Sequence, residues 1–251
     1  MSRFSLEGKV ALVTGSAAGL GQGICLALAE AGARVVGVSR DESPETAEAV
    51  RKAGGQFVGI AADLASSARV EELIRRAVET FGALDILVNN AGTIRRADLI
   101  DFSERDWDDV LSVNLKTVFF LSQAAARQFL RQGRGGKIIN IASMLSFQGG
   151  IRVVSYTASK SGVAGITKAM ANEWAKHNIQ VNALAPGYMI TNNTAALRAD
   201  PDRSEDILKR IPANRWGVPE DLAGPAVFLA SGASDYLNGA VIPVDGGWLA
   251  R

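Results

Sequence analysis

Tyr156 and Lys160 lie four residues apart in the run YTASK, and Ser143 follows an apolar run upstream of them. Positions four apart share one face of a helix, so a phenol and an ammonium meet there. An ammonium beside a phenol favours the phenolate; the pair is expected to lower the Tyr156 pKa and make it a proton acceptor near neutral pH. The chain has a single histidine, His177, and a single cysteine, Cys25, which leaves few other groups for proton transfer. Taken alone, such a spacing is most often a solvated helix face. Its chemistry depends on the elements around it.

Those elements alternate. Apolar runs at 9–14, 34–39, 56–61, 85–89, 137–142, 180–185 and 240–244 read as strands. Between them fall helical patterns over 21–31, from Ser43 or Pro44, over 67–81 with Gly82 as terminator, over about 103–132, over 156–177, and after Pro219. Residues 188–213 are polar and read as a loop with short helices that closes over a site or lies as ordinary surface. Strands and helices in strict alternation predict an α/β fold: a Rossmann-type, doubly wound, parallel seven-stranded sheet with helices on both faces. No linker or composition break divides the 251 residues, so one domain is expected.

Composition agrees and excludes several functions. Hydrophobic residues make up 47% of the chain but aromatic ones only 6%, as suits buried parallel strands rich in Val, Ile and Leu. A formal net charge of +1 without a basic block argues against nucleic acid or an anionic membrane as partner. One cysteine excludes an internal disulfide, and with His177 it provides no metal-ligand set, so no metal is expected. Cys25 reads as a small buried hydrophobe and His177 as a helix-end group. No membrane-length apolar stretch or secretory pattern is seen, and a cytoplasmic protein is expected.

In such sheets ligands bind beyond the carboxyl ends of the strands. The first strand there delivers TGSAAGLG, in which Gly15 and Gly19 allow a tight turn near a pyrophosphate and Gly21 is expected to let the helix pack close to the sheet. Without a ligand the same run is only a glycine-rich turn. At the end of the second strand, where NAD selection normally places a carboxylate, stands Ser39-Arg40; a hydroxyl and a guanidinium suit the 2′-phosphate of NADP. Asp41 and Glu42 are available to pair with Arg40.

Thr14-Gly15-x-x-x-Gly19-x-Gly21, Asn89-Asn90-Ala91-Gly92, Asn114, Ser143, Tyr156-x-x-x-Lys160 and Pro186-Gly187 together resemble the short-chain dehydrogenase/reductase family, in order and spacing from first strand to last. The resemblance implies that Tyr156 is the general acid/base, that Lys160 lowers its pKa and holds the nicotinamide ribose, and that Ser143 hydrogen-bonds the reacting oxygen. Asn114 is implied to fix a helix bend and a water; by itself it reads equally as a locally paired amide. The same resemblance places Gly15, Ser16, Ala17, Gly19, Leu20 and Gly21 at the pyrophosphate and Asp63 and Leu64 at adenine. It places Asn90, Ala91 and Gly92 at the adenosine ribose, and Pro186, Gly187, Met189 and Thr191 at the nicotinamide end. Asp63 alone reads as a cap in a strand-to-helix loop.

NNAGTIRR, SMLSFQGGIRV, ANEWAKHNIQVNALAPGYMITNNT and RIPANRWG are similar to the family's bacterial 2-deoxy-D-gluconate 3-dehydrogenase group, which acts on keto and hydroxy sugar acids in uronate and pectin breakdown, mainly with NAD. Cofactor choice between NAD and NADP thus stays open at the sequence. For an acidic substrate, Arg152, between Ser143 and Tyr156, is the foremost candidate carboxylate clamp, with Arg95 and Arg96 behind it. Gln148 and Tyr188 are candidates for sugar hydroxyls. The resemblance also implies a homotetramer, with Trp248 either anchoring a subunit interface or folding back on its own core. A gluconate 5-dehydrogenase, a 3-oxoacyl-carrier-protein reductase and a non-catalytic dinucleotide sensor are the competing readings.

Overall fold

The computed structural model describes residues 3–251. Its seven strands are β1 (Val10–Thr14), β2 (Arg34–Ser39), β3 (Gln56–Ala61), β4 (Ile86–Asn89), β5 (Gly136–Ile141), β6 (Ile179–Pro186) and β7 (Val241–Val244). They pair in the order β3-β2-β1-β4-β5-β6-β7, every pair parallel. β4 is the central strand with β1 beside it, and the chain reverses its direction of winding between β3 and β4. This is the expected α/β doubly wound fold.

Helices cover both faces: α1 (Gly19–Glu30), α2 (Pro44–Lys52), α3 (Val70–Phe81), α4 (Glu104–Leu111), α5 (Thr117–Gln132), α6 (Val154–Trp174), α7 (Ala195–Ala199), α8 (Pro201–Arg210) and α9 (Ala223–Ala230). Alternation along β1 sorts the core: Leu12 packs with Leu73, Leu121, Phe129 and Met170, whereas Ala11 and Val13 pack with Ile24, Leu28, Leu222 and Leu229. Successive side chains point to opposite faces, so a strand covered on both faces carries consecutive apolar residues, and the few polar ones it buries must be paired.

The helix expected over 103–132 is not continuous. A π-helical turn, Ser112–Lys116, separates α4 from α5, with Asn114 buried inside it. The helix expected from Ser67 begins with a 3-10 turn, Ser67–Arg69, capped by the Ser66 hydroxyl. A polar ladder then fixes how α5 and α6 sit across the sheet. The Asn89 amide donates to Ser122 Oγ and to Asn140 Oδ1, at 2.9 and 2.8 Å, and the Asn140 amide donates to Thr167 Oγ1 at 2.9 Å. These groups are buried, and satisfying them specifies one register for α6, which carries Tyr156 and Lys160.

Candidate active site

The turn after β1 is built before any ligand is considered. Thr14 Oγ1 accepts from the backbone N–H groups of Asn90 and Ala91, both at 3.0 Å, and the Asn90 amide donates back to the carbonyls of Thr14 and Gly15. Gly15 has φ +69, a left-handed conformation. Gly21 packs so tightly that a Cβ there would strike the Gly15 carbonyl and the Asn90 amide. Its close approach is therefore to the turn, rather than to the sheet. Ser16 is a correction of another kind: its hydroxyl is fully buried and bonded to Ser43 (2.9 Å) and Ser39 (3.4 Å), so its side chain braces the turn from behind.

The turn opens onto a groove along the carboxyl ends of β1 to β4. One half is lined by Ala17, Ser39, Arg40, Asp41, Asp63, Leu64, Ala91 and Gly92; the other, joined through Gly15 and Ala18, by Gly19, Leu20, Gly21, Asn90, Tyr156, Lys160, Thr191 and Arg198. Ser39 Oγ accepts from the Ala17 N–H at 3.1 Å. Asp41 is taken by the Ser43 N–H at 2.9 Å, and Arg40 forms no ion pair among the described residues. Asp63 accepts from the Ala65 N–H at 2.9 Å and closes its own loop; it is not the helix cap, a place taken by Ser66. Pro186 ends β6, and Met189 is buried beside Gly217, so neither side chain enters the groove.

A dinucleotide fits this groove on three observations. α1 starts with Ala18, which caps nothing, and its first turn has no acidic residue, leaving backbone N–H groups for an anion. Arg198 lines the same region and its Nε is buried without a partner among the described residues. Arg40 offers an unpaired guanidinium at the other end, next to the Ser39 hydroxyl. Arg198 escaped sequence reasoning, since nothing in TNNTAALR announces which way α7 turns it.

Tyr156 stands where this groove meets a second cleft of ≈ 440 Å³, lined among others by Arg96, Ser143, Gln148, Tyr188, Arg203, Asp206, Arg210 and Trp248. Only Tyr156 and Asn193 line both. Ser143 hydrogen-bonds the phenol in the sense that lowers its pKa, and the Arg96 cation acts the same way, but burial outweighs both and raises it. This reverses the expectation. Lys160 Nζ is 5.6 Å from the ring centroid and donates to the Ile141 carbonyl at 2.5 Å, so its cation is turned to the backbone. Burial in turn lowers the Lys160 pKa to about 8. Asn114 is wholly committed: its oxygen accepts from the Thr93 N–H at 2.8 Å, and its amide donates to the Thr93 carbonyl and to Ser159 Oγ. It ties the π-helical turn to the β4 loop and to α6.

The arginines are sorted differently from the sequence expectation. Arg152 is not in the cleft: it sits at φ +64 and its Nε pairs with Asp98 at 3.0 Å, both side chains exposed. Arg95 lines the half of the groove that holds Ser39 and Arg40, and pairs with Asp106 and Asp109, each at 3.4 Å. Arg96 alone of the three faces the cleft, where Nη2 also donates to the Asn193 carbonyl. Gln148 is held by the Trp248 indole N–H at 3.2 Å, and Tyr188 stands edge-on between Trp216 and Trp248. Trp248 is buried within its own chain under the Arg210 guanidinium, 4.1 Å from the ring centroid, so it is not a subunit anchor.

Comparison with known proteins gives consistent relatives. A family model described as enoyl-(acyl carrier protein) reductase matches residues 15–249. The 2-dehydro-3-deoxy-D-gluconate 5-dehydrogenase of Escherichia coli K12 is 66% identical, covering 100% of this chain and 99% of its own. The enzyme of that name from Dickeya dadantii is 64% identical with the same coverage. Among solved structures, an Agrobacterium tumefaciens protein assigned as a 2-deoxy-D-gluconate 3-dehydrogenase, with NADP bound, is 57% identical, covers 100% of both chains and superposes with a TM-score of 0.95.

Proposed function

The chain belongs to the short-chain dehydrogenase/reductase family, and on that footing we propose that it interconverts a hydroxyl and a ketone on a deoxy-hexonic acid, as a 2-dehydro-3-deoxy-D-gluconate 5-dehydrogenase does. It is an oxidoreductase that uses NAD(P). The observation that carries the mechanism is Tyr156, the one titratable side chain shared by the dinucleotide groove and the substrate cleft.

The backbone of the Gly15–Gly21 turn, the α1 N-terminus and Arg198 would hold the pyrophosphate, Ser39 and Arg40 a 2′-phosphate, and Lys160 and Thr191 the nicotinamide end. A bound nicotinamide supplies the two-electron transfer. Ser143 positions the substrate oxygen beside the phenol. Tyr156 gives that oxygen a proton in reduction and takes it back in oxidation, and the Arg96 charge favours the developing oxyanion. Asn114, with both amide atoms spent on protein, acts as a brace that fixes α6 against the β4 loop.

No described helix is long and apolar enough to cross a membrane. We read the enzyme as a cytosolic homotetramer; the exposed apolar Trp107 and Phe120, on α4 and α5, support an assembled form. The functional reading is tested by offering the enzyme a panel of keto-sugar acids and an acyl thioester, each with NADH and with NADPH. Turnover of the deoxy-hexonic acid is expected. Reduction of the thioester alone would contradict it.

A further inference from the structure

We propose that Arg203 and Arg210 form the carboxylate-recognition end of the substrate cleft and so set a preference for sugar acids over neutral sugars. The inference rests on the sugar-acid reading above and assigns the group that reads the acid. The two residues are seven apart on α8, two helical turns, and therefore share a face. Ile207, between them, is buried in a cluster with Met144, Leu145, Val153, Ile211 and Trp248. That anchor presents both guanidinium groups to the cleft, which they line together with Ser143 and Tyr156.

Neither cation is neutralised locally. Among the described residues Arg203 and Arg210 form no ion pair, and neither does Asp206, which lines the same cleft on the same helix. The field of both arginines reaches the Tyr188 phenol inside the cleft. The Arg210 guanidinium lies over the Trp248 indole, 4.1 Å from the ring centroid, a contact that restrains the side chain while leaving its charge unpaired. Two unpaired cations against the one carboxylate of Asp206 leave a net positive charge on this wall of the cleft, which favours an anion, and a planar carboxylate suits the guanidinium fork.

Arg96 is unsuited to that task. One of its five N–H donors is engaged by the Asn193 carbonyl, and its charge acts on Tyr156, which places it at the reacting end. In a hexonic acid oxidised at C5, the carboxylate and the reacting carbon lie towards opposite ends of the substrate. The acid group then falls away from Tyr156, in reach of α8.

The test compares the sugar acid with its methyl ester in wild type, Arg203→Met, Arg210→Met and the double variant. Methionine keeps an apolar stem over Trp248 and removes the charge. For the double variant, the KM for the acid is expected to rise about 10- to 100-fold with kcat little changed, the loss of charge-assisted hydrogen bonds. The KM for the ester and the affinity for NADPH should stay as in wild type, and Arg203→Lys should recover part of the acid preference. If wild type prefers acid to ester and the double variant keeps that preference, this proposal fails alone. If wild type shows no preference for the acid, the sugar-acid reading fails and takes this proposal with it.

Discussion

Burial moves the acidities of Tyr156 and Lys160 in opposite directions, the phenol upward and the ammonium down to about 8. Each shift disfavours the charged form, as desolvation requires. At neutral pH the pair is therefore a neutral phenol beside an ammonium, the form that can give a proton to a ketone. Oxidation needs the opposite form of the phenol, so its rate should climb as pH rises, whereas reduction should hold through neutral pH and fall at alkaline pH as Lys160 and then Tyr156 lose their protons. Profiles of kcat/KM in the two directions check this, and an oxidative optimum below the reductive one would refute it. Arg40 carries a separate prediction. Unpaired at the end of β2, it should hold a 2′-phosphate, and Arg40→Asp should shift preference towards NADH by about 10-fold or more. Equal NADH-to-NADPH ratios in variant and wild type would clear Arg40 of that role.

At the scale of elements, the turn after β1 and the interrupted helix α4–α5 do the positioning. Gly21→Ala drives a methyl group into the Gly15 carbonyl and the Asn90 amide. It is expected to cost about 1–3 kcal/mol of stability and to weaken dinucleotide binding, measured by thermal unfolding and fluorescence titration; wild-type values for both would show that the turn tolerates relaxation. The strands were legible in the sequence because a parallel strand buried on both faces carries a run of consecutive apolar residues, as Val10, Ala11, Leu12 and Val13 do in β1 and Ala183, Leu184 and Ala185 do in β6. The π-helical turn was legible only as a bend attached to Asn114, since apolar spacing does not distinguish one inserted residue from a regular helix. Arginine directions were not legible at all. Arg152 leaves the cleft because the backbone there turns to φ +64, and Arg203 and Arg210 enter it because Ile207 docks α8. Both causes are tertiary.

Across the whole molecule, the sheet order places the ends of β1 to β4 under the groove and the loops after β5 and β6 around the second cleft, with α6 delivering Tyr156 to the boundary. Gly15, Gly19, Gly21, Asn90, Ala91, Gly92, Tyr156 and Lys160 of the shared motifs line the groove, and so that half could be read from spacing. The substrate half draws on α8, the β5 loop and the tail at Trp248, which are far apart in sequence and meet only in the fold. Proton transfer depends on the phenol at that boundary. Steady-state turnover of Tyr156→Phe, measured together with NADPH affinity, tests it: turnover should fall about 10²- to 10⁴-fold while the dinucleotide binds as in wild type. Turnover within a few-fold of wild type would contradict the assignment of proton transfer to Tyr156.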